Sequence, residues 1–296
     1  MLKKFIERMR INRNFSEITV KNYTRTLSTF NEFLNKATFG NISIDTPEKI
    51  QLYHINNFIL IERTKGQTVA TTNNKLAGIK MFIRYCIVAG LEVINPQSII
   101  FARENEIKIE ALTKAEATKL MEYFKQVPCE TEREELIKIR NLLICSFFLY
   151  TGLRVSELSH LQIEEVKDDF QIIGKGWKRR YVHLSTETKA IFDLYITMRK
   201  DQEKRLFISH SNNCNGRLSN VSIERIIKRG GEQAGIIGKV FPHKLRHTFA
   251  TELMKNDVDL IKVQRLLGHK NIQTTERYIT VYNKDLKDAV WLINFW

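Results

Sequence analysis

The chain has 296 residues, of which 43% are apolar and 27% charged, proportions typical of a globular protein with two ordinary domains. No uninterrupted apolar run reaches the ~18 residues that a membrane span needs, and the basic N-terminus MLKKFIERMR lacks the apolar core of a signal peptide. We therefore expect a cytoplasmic protein with no membrane partner. Forty-seven Lys and Arg against 33 Asp and Glu give a net charge of +14, which indicates a polyanionic ligand, nucleic acid before an anionic membrane. Charge alone leaves open a basic protein without such a ligand.

Residues 1–100 are predicted to form a helical domain. Apolar residues at helical spacing mark two long helices: Val20, Tyr23, Leu27, Phe30 and Leu34 in the first, and Leu76, Ile79, Phe82, Ile83 and Cys86 in the second. The start of the chain is also typical of an amphipathic helix. Thr46 followed by Pro47 indicates a helix cap with a first-turn proline, and Gly90 indicates the end of the helix over 69–89.

Residues 101–110 are charged and aperiodic, and we interpret them as a linker to a second domain over 111–296. Thr113 and Glu116 have the spacing of a capping box, which predicts a helix there. Residues 170–184 contain two short β-type runs around Gly-Lys-Gly, typical of a hairpin. The predicted fold class is thus mainly α, in two domains, with a small β-hairpin or sheet in the second.

The cysteines show no metal or disulfide pattern. Cys86, Cys129, Cys145 and Cys214 lack CxxC or Cys/His spacing, so neither a zinc site nor a disulfide framework is expected. Cys86 and Cys145 lie in apolar helical stretches, which favours packing in the core. No acidic cluster has metal-ligand spacing either, and we expect no metal or other cofactor.

Five short segments of the second domain carry candidate chemistry. They are Thr151-Gly-Leu-Arg154-Val-Ser-Glu157-Leu, Gly174-Lys175-Gly176, His243-Lys-Leu-Arg246-His247, Leu266-Leu-Gly268-His269 and Thr274-Thr-Glu-Arg-Tyr278. In the first, Glu157 follows Arg154 by one helical turn, where its carboxylate would orient the guanidinium. Each segment alone has an ordinary explanation: a surface ion pair, a solvated turn, a helix cap, or a core tyrosine.

Together, in this order and spacing, the segments resemble the tyrosine recombinase (phage integrase) family, in its Xer-like or simple integrase branch. The family signature is an Arg in Gly-Leu-Arg-x-x-Glu-Leu, a hairpin Lys, a His-x-x-Arg, a His in Leu-Gly-His and a Tyr. All six positions are occupied here, by Arg154, Lys175, His243, Arg246, His269 and Tyr278. The resemblance covers nearly the whole chain and implies a DNA-binding first domain, a catalytic second domain, and recombination through a Holliday junction.

The resemblance also implies a role for each residue. Arg154 and Arg246 would clamp the oxygens of the scissile phosphate, because planar forked guanidinium groups suit phosphate oxygens, and His269 would add a hydrogen bond. Tyr278 would be the nucleophile that forms a 3′-phosphotyrosyl bond, with His243 as its base and Lys175 as the general acid. Neither ATP nor a metal would be needed, because the covalent intermediate conserves the bond energy.

Some alternatives remain open. Lys178 is a rival to Lys175, and Tyr282 is a rival to Tyr278, although its distance from His269 does not match the family spacing. Other uses of the same chemistry are a transposase-type integrase, a telomere resolvase and a relaxing type IB topoisomerase. A catalytically idle DNA-binding regulator is a further alternative, against which the six intact positions argue.

The end of the chain, Ala-Val-Trp-Leu-Ile-Asn-Phe-Trp296, is strongly apolar. An end of this kind needs to be covered. We expect it to dock into a neighbouring copy of the chain in a tetramer on double-stranded DNA, as the resemblance implies. Packing on its own domain is the alternative.

Overall fold

The computed structural model describes residues 1–11, 15–38, 40–103, 110–173, 179–210 and 216–268. The chain divides into two compact units, Met1–Ile107 and Lys108–Trp296. Both units are mainly helical, and the second contains a two-stranded antiparallel sheet, so the predicted fold class is confirmed. The linker over 101–110 stays a prediction. None of the helices in these ranges is long and apolar enough to cross a membrane.

The described residues of the first unit form four α-helices. They are α1 (Leu2–Ile11), α2 (Glu17–Ala37), α3 (Leu52–Thr64) and α4 (Val69–Val88), with short 3₁₀ turns at Pro47–Lys49 and Pro96–Ser98. The side chains of Ser16 and Thr68 accept backbone N–H bonds at the starts of α2 and α4, which explains where these helices begin.

The two predicted apolar faces form the core of this unit. Leu27, Phe30 and Leu34 of α2 are fully buried, as are Phe82 and Cys86 of α4. A left-handed Gly90 (φ 83°) follows the end of α4, as predicted. The Thr46-Pro47 pair predicted a further helix between these two, and α3 occupies that place but begins only at Leu52.

Thr46 is the N-cap residue of the 3₁₀ turn that begins with Pro47, as predicted, but its side chain makes no capping bond. Its hydroxyl bonds back to Ser43, accepting from the Ser43 backbone N–H at 3.0 Å and donating to the Ser43 carbonyl at 3.2 Å. The residues after Pro47 form only the 3₁₀ turn, and α3 begins five residues after this proline. The hydroxyl therefore stabilises the preceding turn and caps no helix.

The second unit contains seven helices within the described ranges. They are α5 (Lys114–Gln126), α6 (Glu132–Thr151), α7 (Val155–Leu158), α8 (Thr186–Met198), α9 (Asn220–Gln233), α10 (Pro242–Lys255) and α11 (Leu260–Leu267). The capping box at the start of α5 is confirmed: Thr113 Oγ1 accepts from the Glu116 backbone, and Glu116 Oε2 accepts from the Thr113 backbone at 2.8 Å.

Helix α6 lies at the centre of this unit. It is apolar around most of its circumference, and Leu143, Ile144, Cys145, Phe147 and Phe148 have no exposed surface. Helices α5, α8, α9 and α10 all pack against it. A helix buried around most of its circumference provides a rigid support for the residues that follow its C-terminus.

The hairpin consists of β1 (Asp169–Ile173) and β2 (Arg179–His183), paired antiparallel with Phe170 opposite Val182 and Ile172 opposite Arg180. Burial alternates along both strands. The buried face of β2 therefore carries an arginine beside a valine. The hairpin prediction is confirmed for the strands, while residues 174–178 between them lie outside the described residues.

Candidate active site

The turn after α6 presents the first candidate residue. Gly152 ends α6 in the left-handed conformation (φ 59°), and a Cβ at this position would lie 2.5 Å from Cδ1 of Phe249. Glycine is therefore required both by the backbone and by the packing. The next residue, Leu153, is fully buried, so the chain re-enters solvent at Arg154, which is the N-cap residue of α7.

Glu157 fixes the Arg154 side chain, as its spacing predicted. The carboxylate accepts the Arg154 backbone N–H at 2.8 Å and Nη1–H at 2.7 Å. Burial of Glu157 raises the pKa of its carboxyl, but the charges of Arg180 and Arg154, together with these hydrogen bonds, leave that pKa below its usual value. Glu157 is therefore ionised at neutral pH and holds the guanidinium in one orientation.

Arg180 of β2 completes this network and was not predicted as a site residue. Its Nη2–H donates to Glu157 Oε2 at 2.9 Å, and both side chains are 5% exposed. The sequence contained one signal for it. Period-2 alternation places Arg180 on the same face as Val182, and an arginine on a buried face needs an internal anionic partner.

Helix α10 presents the second arginine of the resemblance. Pro242 opens the helix, so His243 and Arg246 lie one turn apart near its N-terminus, as predicted. Arg246 is only 2% exposed, and its guanidinium donates to the carbonyls of Gly152 and Leu267. Because the Gly152 carbonyl belongs to the turn that presents Arg154, this bond brings the two arginines to one place.

The C-terminal end of α11 receives all three guanidinium groups. The successive carbonyls of Leu266, Leu267 and Gly268 accept from Arg180, Arg246 and Arg154 respectively, the last at 3.4 Å. The last carbonyls of a helix lack partners within it and carry the negative end of its dipole, so cations are stabilised there. We call Arg154, Glu157, Arg180 and Arg246 the anchored cluster.

Gly268 makes this arrangement possible. It ends α11 in the left-handed conformation (φ 64°), as the Leu-Gly-His motif predicted, and a Cβ there would lie 2.9 Å from Cδ of Arg180. A side chain at this position would therefore displace an arginine of the anchored cluster.

His243 lies beside the cluster with a lowered pKa. Although the residue as a whole is exposed, partial desolvation of the imidazole lowers its pKa below 6.5, and the charges of Arg246 and Arg154 lower it further. The ring is therefore neutral at physiological pH and can accept a proton.

A cleft of about 740 Å³ connects these residues, between the Arg154 turn, α9 and the start of α10. Its walls carry five Lys or Arg residues and one Glu: Arg154, Arg225, Lys228, Lys239 and Arg246, with Glu224. A cleft lined mainly by one sign of charge concentrates the field and favours an anionic ligand. Within the described ranges, no group of three or more His, Cys, Asp or Glu side chains is arranged to hold a metal ion.

The structure thus brings together three of the six residues named from the resemblance, Arg154, His243 and Arg246. The other three, Lys175, His269 and Tyr278, lie outside the described residues, as do the rivals Lys178 and Tyr282. Their roles stay predictions.

Comparison with known sequences identifies the family. The model of the phage integrase family matches residues 110–285, and that of the phage integrase N-terminal SAM-like domain matches residues 2–90. The chain belongs to the phage integrase family. This is the group of tyrosine site-specific recombinases that the motifs of the second domain resembled, so the expectation is confirmed.

Relatives named tyrosine recombinases match two thirds of the chain or more. Tyrosine recombinase XerD of Oceanobacillus iheyensis is 29% identical over 298 residues, covering 97% of this chain and 95% of that protein. Tyrosine recombinase XerA of Pyrococcus horikoshii is 34% identical over 214 residues, covering 68% of this chain and 74% of that protein.

Solved structures show the same fold. XerH recombinase bound to a palindromic difH substrate, in a post-cleavage complex, aligns with a TM-score of 0.73 at 22% identity, covering 99% of this chain and 84% of that one. A λ integrase dimer bound to a core site aligns with a TM-score of 0.69 at 18% identity, covering 93% and 76%. At these identities the alignments establish the phage integrase fold.

Proposed function

We propose that this phage integrase family member cleaves and rejoins double-stranded DNA at a specific site through a 3′-phosphotyrosyl bond to Tyr278. The observation that carries the proposal is the convergence of Arg154, Arg246 and His243 in one basic cleft, in a chain whose XerD and XerA relatives are tyrosine recombinases. The XerH and λ integrase structures contain recombination-site DNA, which supports the same substrate class.

The two arginines supply the electrostatic part of the reaction. A phosphate under attack by an oxygen nucleophile gathers negative charge on its non-bridging oxygens, and preorganised cations stabilise that charge most effectively. The Glu157 carboxylate orients the Arg154 guanidinium, and the carbonyls of Gly152 and Leu267 orient that of Arg246, before a substrate arrives. Little reorganisation is then needed during the reaction.

Proton transfer completes the step. Tyr278 Oη attacks phosphorus and gives its proton to the neutral His243, whose lowered pKa suits it to accept one. The bond from phosphorus to the 5′-oxygen breaks, and Lys175 gives that oxygen a proton. His269 donates a hydrogen bond to the phosphate. Attack of a 5′-hydroxyl on the phosphotyrosine reverses these transfers, so the cycle needs neither ATP nor a metal.

The remaining parts of the proposal concern assembly. Residues 1–100 form the core-binding domain on DNA, residues 101–110 the linker, and residues 111–296 the catalytic domain. Four chains assemble on two DNA sites in the cytoplasm and exchange strands through a Holliday junction. Residues 289–296 dock into a neighbouring chain.

Substitution of the nucleophile tests the proposal. DNA trapped covalently on the protein in cells is sequenced to find the site, and a nicked suicide substrate of that sequence is then incubated with the purified chain. Tyr278→Phe should bind this DNA and form no adduct on a denaturing gel, because only the hydroxyl is lost. Tyr282→Phe is the matched control and should form the adduct normally.

The opposite pattern has a clear meaning. An adduct in Tyr278→Phe together with its loss in Tyr282→Phe transfers the nucleophile to Tyr282. If both variants still form the adduct, tyrosine catalysis at this end of the chain is contradicted. A two-site recombination assay beside a single-site relaxation assay separates a recombinase from a relaxing topoisomerase.

A further inference from the structure

A second cavity of about 290 Å³ lies along α9, on a helix face adjacent to the one that lines the cleft. Four arginines line it, Arg133 and Arg140 from α6 and Arg225 and Arg229 from α9, and we call it the arginine pocket. Among the described residues that line it, none carries a carboxylate. Four like charges around a small cavity repel one another and are stabilised by an anion between them.

Helical spacing explains why the arginines converge. Arg133 and Arg140 lie two turns apart on one face of α6, and Arg225 and Arg229 lie one turn apart on α9, which packs against α6. Two of the four are fixed to the backbone. Arg133 Nε–H donates to the His210 carbonyl at 2.6 Å, and Arg140 Nη1–H donates to the Ile208 carbonyl at 2.9 Å.

Arg140 carries a buried positive charge. It is 7% exposed, and the acceptors of its guanidinium are neutral, the Ile208 carbonyl and Asn141 Oδ1. A guanidinium has more N–H groups than these bonds use. A charge placed this far from water is costly without a counter-charge, which an anion in the pocket would supply.

The nearby acidic residues of α6 are engaged elsewhere. Glu132 pairs with Lys200 at 2.9 Å, Glu134 accepts backbone N–H groups at the start of the helix, and Glu135 pairs with Lys138 at 3.8 Å. Burial lowers the pKa of His210 at the pocket wall to about 4, and the charges of Arg140 and Arg199 add to this effect. His210 is therefore neutral at physiological pH and adds no charge of its own.

The position of Arg225 indicates which anion the pocket binds. Arg225 lines both the arginine pocket and the cleft of Arg154 and Arg246, so the two cavities share one wall. A polyanion bound in the cleft at the anchored cluster would contact Arg225, which also lines the second cavity. Guanidinium groups bind phosphate oxygens through paired N–H donors, which suits a backbone phosphodiester.

We propose that the arginine pocket binds a backbone phosphate of the DNA substrate, outside the phosphate that is cleaved, and so sets the register of the duplex in the cleft. This inference rests on the proposed function for the presence of DNA. It adds a binding site that takes no part in bond breakage.

The salt dependence of DNA binding tests the pocket without any cleavage. Affinity for a labelled duplex is measured by fluorescence anisotropy across a range of NaCl concentrations for the full chain, Arg229→Ala and Arg205→Ala. Arg229 is exposed and lines only the arginine pocket, while Arg205 is exposed and lines neither cavity, so it is the matched control. Loss of one phosphate contact should reduce the log–log salt slope by about 0.9 in Arg229→Ala and leave Arg205→Ala unchanged.

Neutral linkages locate the phosphate. A single methylphosphonate is moved along each strand of the duplex, one position at a time. At one position it should weaken binding of the full chain but not of Arg229→Ala, since the partner is already lost there. Inorganic phosphate and polyglutamate are also titrated in thermal-shift assays, which measure whether either anion stabilises the full chain and Arg229→Ala.

Each outcome decides the matter. Equal slopes in Arg229→Ala and the full chain, or equal changes in both variants, overturn the pocket and leave the proposed function intact. Polyglutamate or inorganic phosphate protection that Arg229→Ala abolishes, with DNA binding unchanged, assigns the pocket to a protein partner or a free ion. An adduct that persists in Tyr278→Phe contradicts the proposed nucleophile and leaves the pocket in place.

Discussion

The catalytic unit contains two groups of arginines that differ in what surrounds them. In the anchored cluster, one carboxylate and the end carbonyls of α6 and α11 fix three guanidinium groups. In the arginine pocket, two guanidinium groups are fixed by neutral backbone acceptors, and no carboxylate lines the wall among the described residues. The first group is oriented before substrate arrives, as transition-state stabilisation requires. The second presents positive charge to a cavity whose described lining holds no carboxylate, as ground-state binding of an anion requires.

Of the changes considered, removal of the Glu157 carboxylate, which holds Arg154 and Arg180 in the anchored cluster, should have the largest effect, and this effect should be on stability. Glu157→Ala leaves Arg154 and buried Arg180 without their counter-charge, and loss of one partner of a buried pair costs ~3–5 kcal/mol. Chemical denaturation at pH 7 measures this loss. Glu164→Ala, which removes an exposed carboxylate of the same unit, should change stability by less than ~0.5 kcal/mol.

The same network should give stability a defined pH dependence. Because the pKa of Glu157 is lower in the folded chain than in the unfolded one, its contribution is complete above the unfolded value of ~4.3 and is lost as the pH falls through the folded value. The stability difference between the full chain and Glu157→Gln should therefore be constant from pH 7 to pH 5 and shrink below pH ~4.3. A difference that shrinks above pH 5 would contradict the assigned ion pairs.

The two arginine groups should also separate kinetically. Arg154→Ala should reduce the single-turnover cleavage rate at saturating DNA by about 10²–10³, because one preorganised donor to a developing charge is lost. Its effect on affinity should be much smaller. Arg229→Ala should show the reverse order, with the main loss in affinity. Equal losses of affinity and rate in Arg154→Ala would make Arg154 an ordinary phosphate contact.

Gly152 lies in the turn that presents Arg154, and its carbonyl accepts from Arg246, so substitution of this glycine tests the packing at the site. Gly152→Ala should destabilise the chain by more than the ~1–2 kcal/mol that a left-handed alanine costs, because its Cβ meets Phe249. Gly235→Ala is the matched control, since Gly235 has φ 68° and no atom within 4 Å of the added Cβ. Thermal unfolding of both variants separates the packing contribution from the cost of the left-handed backbone. Equal losses of stability in Gly152→Ala and Gly235→Ala would contradict a packing contribution at Gly152.

The smallest expected effect is a shift in a pH profile. If His243 accepts the proton of Tyr278, cleavage is lost as the pH falls through the pKa of His243, which lies below 6.5. The rate under kcat/KM conditions at pH 6.5 should therefore stay above half of its plateau. His243→Gln should be slow and lack this acid limb. A full chain that loses half its rate above pH 6.5 contradicts the assignment.

Local patterns predicted a large part of the fold and of the site. The faces of α2 and α4, the capping box of α5 and the pairing of Arg154 with Glu157 depend on residues within about one or two turns of each other, where helical spacing suffices. The helix expected from Pro47 onward is only a 3₁₀ turn, and α3 begins five residues later, because a hydroxyl before a proline stabilises a turn as readily as a helix.

The contacts of Arg180 could not be predicted from local sequence patterns. Its partners are Glu157, 23 residues earlier, and the carbonyl of Leu266, 86 residues later. No spacing rule connects these positions. The burial of Arg246 and the shared wall at Arg225 escaped prediction for the same reason, since both depend on how α6, α9, α10 and α11 pack.

The sequence by itself determined the helical class, the hairpin, the family and the identity of six candidate residues, because these follow from short-range periodicity and motif order. The tertiary structure decided that three arginines meet at the end of one helix and that four others surround a separate cavity. Both arrangements depend on desolvation and on charge at distances that only the packed chain defines. The acceptors that folding places beside an arginine decide whether its guanidinium is held in one orientation by the protein or is left to bind an anion.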